Sequence, residues 1–221
     1  MKLIILLLIS SNLLAQTAIE TKLSGEICNC LSKHKELEEF DSKVYSKCFF
    51  EVVRANFSLL QKESIRLYGD TSAKSSESLG NRLEQNLSVS MVQDCEVYYK
   101  LKKAQRISAF HAATNLNNDS LRIILANLNQ LSEESHNNSF YYKRGVVSFQ
   151  LKDFQNAVKD FHLAFVLDSS DYSSLAKEAW TLENLGQYDE AIRIYDTLAF
   201  KKKNHGFLIF SAMIRRYKNG L

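Results

Sequence analysis

The chain has 221 residues, of which 45% are hydrophobic and 24% are charged, and its formal net charge at pH 7 is +3. This composition is typical of a folded soluble protein with room for two structural units. It gives no sign of extended disorder.

The first residues have the layout of a secretory signal peptide. MKLIILLLISSNLLAQ begins with one Lys, continues with an apolar run of about ten residues and reaches a small residue before Gln16. We place cleavage after Ala15, so the loss of residues 1–15 removes Lys2 and the formal charge falls from +3 to +2. A membrane-spanning helix needs about 20 apolar residues, so we expect an exported protein, periplasmic or secreted, that does not span the membrane.

Two further details refine this expectation of export. No Cys stands at the cleavage site, which disfavours a lipid anchor. A short signal peptide that ends in Ala-Gln, on a chain rich in Lys and Asn, resembles the signal peptides and composition of secreted proteins of the Bacteroidota. Nucleic acid is not an expected partner of an exported protein.

Residues 16–108 are predicted to form a helical domain that carries the four cysteines. The pattern indicates a first helix, a long second helix from about Asp41 to Tyr68 and a third from about Glu77 to Ile107. A polar, Ser-rich connection, Gly69 to Ser78, joins the last two. The third helix has apolar residues at every fourth position, and this stripe includes a cysteine that should point inward. The stripe consists of Leu79, Leu83, Leu87, Met91 and Cys95.

Four cysteines behind a signal peptide indicate two disulfides and allow three pairings. Cys28 with Cys30 is the least plausible, because residues two apart on a helix point about 200° away from each other. Two arrangements remain in which the first helix is tied to both neighbours, and we favour Cys30–Cys48 with Cys28–Cys95. Zinc sites usually show C-x2-4-C spacing rather than C-x-C, and we expect neither a metal nor another cofactor.

Residues 109–137 either connect two domains or form a degenerate copy of the repeat that follows them. The turn Asn117-Asn118-Asp119 precedes Leu151-Lys152-Asp153 by the length of that repeat, and LRIILANLNQL is amphipathic as a helix. The positions that should hold a small and an aromatic residue instead hold Ile123 and Asn127. Both interpretations remain open.

One segment is written twice between Asn138 and Asn204, with a period of about 34 residues that is typical of helix-turn-helix solenoids. When residues 151–165 are placed over residues 185–199, the similar residues keep a constant offset. The pairs are Phe154/Tyr188, Ala157/Ala191, Val158/Ile192 and Phe161/Tyr195. The small pairs, Gly145/Ala179 and Ala157/Ala191, are expected where two helices cross closely.

The repeat resembles the tetratricopeptide repeat (TPR), in which an aromatic residue and a Gly in the first helix precede A-x3-F in the second. The matching residues are Tyr141, Gly145, Ala157, Phe161 and Ala164 in the first copy, and Leu175, Ala179, Ala191, Tyr195 and Leu198 in the second. Arg144 and Ser169 depart from the pattern, since the family has Leu and usually Pro there. The resemblance implies repeats at residues 138–171 and 172–205 and a protein that works by binding.

Residues 206–221 align with the first helix of a further repeat and are predicted to cap the solenoid. Two of its apolar residues should pack on the second repeat, and three basic residues should mostly face water. These are Ile209 and Met213, and Arg215, Arg216 and Lys218. No acidic residue follows Asp196. The excess of positive charge indicates a solvated face or, as an alternative, attraction to an acidic partner or anionic surface.

The predicted fold class is all-α, with a disulfide-linked N-terminal helical bundle followed by a short TPR solenoid and a C-terminal capping helix. The repeat register directs a row of apolar and mostly aromatic residues into the concave groove. They are Tyr142, Val146, Phe149, Ala176, Trp180, Phe207, Phe210, Ile214 and Tyr217. Large exposed apolar patches usually mark binding sites, unless the N-terminal helices fold back and cover this row.

We therefore interpret the chain as an exported scaffold that binds a protein or peptide in this groove. The alternative is a helical carrier of an apolar small molecule. Relatives of the TPR that grip C-terminal carboxylates place Lys and Asn where Tyr142 and Val146 stand, so we do not expect that specificity. The five His residues are scattered, and neither H-E-x-x-H nor G-x-S-x-G occurs, so we do not expect an enzyme.

Overall fold

The computed structural model describes residues 18–34, 41–111 and 116–220. Within these ranges all regular structure is helical, with eleven α-helices, one 3-10 turn and no strand. No helix in the described ranges has the length and apolarity to cross a membrane. The predicted signal peptide, residues 1–15, lies outside them. The chain divides into two compact units, residues 1–104 and 105–221, here called the N-terminal and C-terminal units.

Five helices begin in the N-terminal unit. They are α1 Ala18–Ser32, α2 Ser42–Ala55, α3 Phe57–Tyr68, α4 Ala73–Asp94 and α5 Glu96–His111, and the boundary between the units falls within α5. Helix α1 packs against both α2 and α4, and α3 packs against α4. The apolar side of α1, with Leu23, Ile27 and Leu31, is buried together with Leu87 and Met91 of α4. This shared core holds the N-terminal unit together.

Two disulfides link these helices, and they confirm the favoured pairing. Cys28 bonds Cys95 with a Cα–Cα distance of 5.8 Å, and Cys30 bonds Cys48 with a distance of 5.6 Å. Every residue of the predicted stripe that ends at Cys95 is buried, as the four-residue spacing indicated. The cysteine at its end therefore points into the core, where the disulfide partner on α1 meets it.

The prediction of one long second helix is wrong, because the helix breaks at Asn56. This residue has φ −106° and ψ 17° and separates α2 from α3. Its side-chain amide donates hydrogen bonds to the carbonyl of Val52 at 2.9 Å and to the carboxylate of Glu26 at 2.6 Å. An Asn side chain that bonds the preceding turn competes with the helical backbone. The second bond reaches α1, so the break depends on tertiary structure.

The third predicted helix and the connection before it are also corrected. Cys95 is extended, with φ −116° and ψ 105°, and separates α4 from α5. The connection from Gly69 to Ser78 is shorter than predicted, since α4 begins at Ala73. The hydroxyl of Ser72 accepts a hydrogen bond from the backbone N–H of Ser75 at 3.3 Å. A Ser at this position caps a helix, so the Ser-rich run starts α4 instead of continuing the loop.

Six helices follow in the C-terminal unit, and each packs on the next. They are α6 Asn118–Asn129, α7 Asn138–Gln150, α8 Phe154–Leu167, α9 Tyr172–Asn184, α10 Tyr188–Lys202 and α11 Gly206–Lys218, with a 3-10 turn at Glu133–Ser135. Helices α7, α9 and α11 begin at residues 138, 172 and 206 and end at residues 150, 184 and 218, so successive members of this set are 34 residues apart at both ends. The first residues of α8 and α10 keep the same offset, whereas α6 begins slightly further ahead of α8.

Equivalent positions of the two copies are buried alike. Ala157 and Ala191 are fully buried, and so are Phe161 and Tyr195. A Cβ atom added to Gly145 would lie 3.0 Å from the ring of Phe161. This distance explains why α7 carries a glycine where it meets α8.

The turns between the paired helices also correspond. Lys152 and Gly186 occupy equivalent positions and both have positive φ, 62° and 74°. Glycine adopts this left-handed conformation without the steric cost that other L-residues pay. The second copy therefore has the residue that suits the turn, and the first copy carries local strain.

Helix α11 packs on α10 more extensively than its sequence suggested. Met213 and Ile214 are buried. The prediction that the basic residues face water is wrong for Arg216, which is 8% exposed. Arg215 pairs with Asp196 at 2.7 Å, and Lys218 pairs with Asp189. These ion pairs therefore hold Arg215 and Lys218 of α11 against the surface of α10.

Candidate functional site

The residues predicted to line the groove fall into two clusters of the C-terminal unit. Tyr142, Val146 and Trp180 are partly buried and pack against the core formed by Phe149, Ala157 and Phe161. Ala176, Phe207 and Phe210 are partly buried against the core formed by residues of α9, α10 and α11. Ile214 is 3% exposed within that core, whereas Tyr217 is 55% exposed. The row is thus divided between core and surface.

A cavity of about 540 Å³ opens between α9 and α11, and we call it the α9–α11 pocket. Its lining comes from α9, α10, α11 and the loop before α11. The lining residues are Tyr172, Ser173, Ala176, Lys177, Trp180, Tyr195, Lys202, Asn204, Phe207 and Phe210. Four of the nine predicted groove residues belong to it: Ala176, Trp180, Phe207 and Phe210. The others lie elsewhere in the unit.

The aromatic walls of this pocket support one another. The ring centroids of Tyr195 and Phe210 are 5.5 Å apart with an edge-to-face geometry. Phe207 lies 6.2 Å from each of these two rings. Contacts of this kind add to the stability gained from burial, so the apolar wall is formed before any ligand arrives.

Arg106, near the end of α5, reaches into the same group of rings. Its guanidinium carbon lies 4.4 Å from the ring centroid of Phe210, 4.8 Å from that of Trp180 and 5.6 Å from that of Tyr195. Its Nη1 donates to Glu183 at 3.0 Å, and its Nη2 donates to the Tyr195 hydroxyl at 2.7 Å and to Glu183. We call Trp180, Tyr195, Phe210 and Glu183 the guanidinium cage.

The electrostatics of the cage keep Arg106 charged. Burial opposes the charge on the guanidinium, but Tyr195 and Glu183 outweigh this effect and raise the pKa of Arg106. Burial also raises the pKa of Tyr195, so its hydroxyl keeps its proton and donates it to Glu183 at 2.7 Å. The cage is therefore an ion pair whose cation also contacts ring faces and the Tyr195 hydroxyl.

Sequence reasoning missed Arg106 as a residue of the groove. Its carboxylate partner, Glu183, is 77 positions further along the chain, and no local pattern connects the two. The sequence left open whether the N-terminal helices cover the groove; within the C-terminal unit, the Arg106 side chain covers the part formed by Trp180 and Phe210. The α9–α11 pocket stays open beside the covered part.

Two lysines bring positive charge to the α9–α11 pocket. The ammonium of Lys202 lies 4.0 Å from the ring centroid of Tyr172, and that of Lys177 lies 5.5 Å from that of Trp180. Burial lowers the pKa of Lys177. Both distances fit cation–π contacts, so these side chains lie along the aromatic wall with their charges at the pocket.

A second cavity of about 410 Å³ is also lined by Trp180. Its other lining residues come from the end of α5, from α7, α8 and α9, and from around the start of α6. The full lining is Ile107, Leu116, Asn118, Leu121, Phe149, Gln150, Lys152, Phe154, Trp180 and Asn184. Trp180 therefore lines two cavities of the C-terminal unit.

One cluster in the N-terminal unit brings metal-binding side chain types together. Among the described residues, the ligand atoms of Cys30, His34 and Cys48 lie within 4.8 Å of one another. Cys30 and Cys48 are bonded to each other, and zinc and similar metals bind the thiolate form of cysteine. The cluster in its disulfide form therefore offers a metal only the His34 imidazole.

The α9–α11 pocket can bind a ligand by apolar contact and by charge. It offers aromatic walls and two ammonium groups, which together suit a group with an apolar body and a negative charge. No family model, curated protein or solved structure matches the chain.

Proposed function

We propose that this protein is an exported interaction scaffold that binds a protein or peptide through a groove on the first helices of a tetratricopeptide-like array. In this proposal α7 with α8 and α9 with α10 are the two repeats, and α11 caps them. The partner lies against α9 and α11, at the α9–α11 pocket. The role is binding rather than catalysis.

The regular spacing of the helices supports the array. Helices α7, α9 and α11 keep the same offset at both ends, and this offset matches the tetratricopeptide period of about 34 residues. The fully buried Ala157 and Ala191 are equivalent in the two copies. Repeats of this kind stack on their neighbours and present extended concave surfaces for partners.

The observation that carries the proposal is the α9–α11 pocket itself. Its aromatic rings lie on packed helices and contact one another, so a partner does not have to order a loop on binding. A preorganised surface loses less entropy on association. Aromatic residues in such pockets are also the usual hot spots of interfaces.

Export is supported by the two disulfides. Disulfides persist in oxidising compartments and are rare in the cytosol, and both join helices of the N-terminal unit. The predicted signal peptide points the same way. The expected location is therefore the periplasm or the extracellular medium.

A second candidate function is that of a carrier for an apolar small molecule. The observation in its favour is that Trp180 lines two cavities, of about 540 and 410 Å³. Ligand sites are commonly cavities of about 300–1,000 Å³ with mostly apolar walls. The two functions differ in what would be recovered from the native protein.

The test is position-specific cross-linking in the native envelope. A photoreactive amino acid replaces Ala176, which lines the pocket, and the matched control replaces Phe200, which is 86% exposed and outside the pocket lining. We expect a protein or peptide adduct from position 176 and none of the same mass from position 200. Lipid extraction of the same sample identifies a small-molecule occupant.

A blocking variant makes the test specific. Ala176→Phe is expected to fill the pocket and abolish the adduct of a cross-linker placed at Ser173, with little change in stability. Trp180→Ala is a poorer probe, because Trp180 packs against Phe149 and Arg106 and its loss should itself cost about 3–5 kcal/mol of stability. Equal adducts from pocket and control positions would contradict the proposed function.

A further inference from the structure

The lining of the α9–α11 pocket carries positive charge and no negative charge. Lys177 and Lys202 line it together with the aromatic rings, and neither Asp nor Glu is among its lining residues. Lys202 forms no ion pair with any described residue, and its nearest described contact is the ring of Tyr172 at 4.0 Å. The pocket is therefore complementary to a negative group.

The carboxylates that adjoin this region in the chain are already bound within the protein. Glu183 is held by Arg106, and Asp196 is held by Arg215 at 2.7 Å. Asp171 caps α9 by accepting a hydrogen bond from a backbone N–H at 3.1 Å. These contacts fix the three carboxylates in the fold, and none of the three pairs with Lys202. An incoming negative group can therefore meet Lys202 without displacing one of them.

The sequence extends this positive region. Lys201, Lys202 and Lys203 are consecutive, and no acidic residue follows Asp196. A cluster of like charges on one side of a cleft attracts ligands of the opposite sign and speeds their association. A peptide that carries negative charge would therefore be drawn to the end of the array where the pocket opens.

The pocket also offers a hydrogen-bond donor suited to a peptide backbone. The Oδ1 atom of Asn204 accepts the backbone N–H of Gly206 at 2.9 Å, which leaves its Nδ2 without a hydrogen bond to any described residue. An amide NH₂ group at a pocket rim can donate to a backbone carbonyl. A peptide has a carbonyl acceptor at every residue, whereas the hydrocarbon tail of a lipid has none, so this donor favours a peptide over a lipid tail.

We propose that the α9–α11 pocket receives an aromatic side chain of a partner peptide, and that an Asp or Glu beside this side chain in the peptide pairs with Lys202. The aromatic ring would pack against Phe207, Phe210 and Trp180, which line the pocket. This inference rests on the proposed function and specifies the chemistry of its partner.

The experiment uses capped hexapeptides that differ at two features. The first has a central Phe between aspartates, the second a Phe between asparagines, the third a Phe between lysines, and the fourth a Ser between aspartates. Binding to the full chain with its disulfides intact is followed by the fluorescence of Trp180, the one tryptophan of the chain. We expect the first peptide to bind about ten-fold more tightly than the second and to lose affinity as salt is added.

Two lysine variants test the charge. Lys202→Gln should weaken binding of the aspartate-flanked Phe peptide by about three-fold to ten-fold and leave the asparagine-flanked peptide unchanged. Lys201→Gln is the matched control, since Lys201 is the neighbouring residue on α10 and is not in the pocket lining. We expect this control to weaken binding of the aspartate-flanked Phe peptide much less than Lys202→Gln does.

Several results would overturn the inference. These are equal binding of aspartate-flanked and asparagine-flanked peptides, tighter binding of the lysine-flanked peptide, or no binding of the first peptide at millimolar concentration. Tighter binding of decanoate than of any peptide would overturn it in favour of an apolar carboxylate ligand. The two proposals can fail independently. If position 176 gives a specific protein adduct but the peptides show no acidic preference, the proposed function stands and this inference fails. If the peptides show acidic preference but no adduct forms, this inference stands and the proposed function fails.

Discussion

Arg106 shows how one residue can decide which part of a groove is accessible. Its guanidinium meets the rings of Trp180 and Phe210 at less than 5 Å and pairs with Glu183. Both partners of this ion pair are mostly buried. A buried carboxylate that loses its cation keeps the cost of its desolvation.

We therefore expect Arg106→Met to lower the free energy of unfolding of the C-terminal unit by roughly 3–5 kcal/mol. Urea titration followed by Trp180 fluorescence measures this change. Adding Glu183→Gln to the same chain should recover part of the loss, because the unpaired charge is removed.

Arg193→Met is the control for this experiment. Arg193 pairs with Glu190 on the surface of α10, and more than half of each side chain is exposed. Exposed pairs contribute about 0–1 kcal/mol, so this variant should resemble the native protein. A loss as large as that of Arg106→Met would show that burial is not the cause.

Glu178 makes stability depend on pH. Burial raises the pKa of Glu178 above its ordinary value of 4.5, and His162, whose Nδ1 lies 3.2 Å away, offsets only part of this effect. Glu190 reinforces the rise, and Arg193 opposes it. The folded state then holds the proton more tightly than the unfolded chain, so stability falls as the pH rises from 4.5 through the raised pKa.

Glu178→Gln is expected to flatten this pH dependence and to stabilise the protein at pH values above the raised pKa. Urea titrations of the variant and the native protein at intervals from pH 4 to 8 give the difference directly. Glu77→Gln, at an exposed position of α4, should change the curve little. If Glu178→Gln were less stable than the native protein at pH 8, the effect of the His162 contact would exceed that of burial.

At the scale of helices, the sequence predicted helix positions best in the segment where similar residues recur at a fixed offset. The small residues at a fixed offset located α7 to α11, because close helix crossings demand small side chains wherever they recur. The breaks at Asn56 and Cys95 were not predictable, since one follows a side-chain bond to α1 and the other coincides with a disulfide. The groove was predicted only in part, because Arg106 reaches it from a distant stretch of sequence.

The two crossing positions should respond alike to overpacking. Ala157 and Ala191 are fully buried, so replacing either with Leu should destabilise the protein by about 1–3 kcal/mol. Thermal unfolding measures both changes. Gln155→Leu, at an exposed position of α8, is the control and should leave the melting temperature nearly unchanged. Two Ala variants as stable as the native protein would contradict the equivalence of the copies.

At the scale of the whole molecule, all four cysteines are in disulfides. The unfolded but unreduced protein should therefore show no labelling by a thiol reagent and four labelled positions after reduction. Each bond should contribute about 2–4 kcal/mol to stability. Two or more labelled cysteines before reduction would contradict the pairing.

The spacing of Cys28 and Cys30 on α1 has a consequence for how the protein matures. Cys48 closes a loop of 18 residues with Cys30, and a bond to Cys28 would span only two residues more. The entropic cost of closing these two loops differs by only ~0.1 kcal/mol. Loop closure therefore hardly favours the native Cys30–Cys48 bond over a Cys28–Cys48 bond. Oxidation of the newly made chain should thus form both bonds at similar rates. Only packing of α1 against α2 and α4 then selects the native one, and maturation would be paced by thiol–disulfide exchange and accelerated by an isomerase.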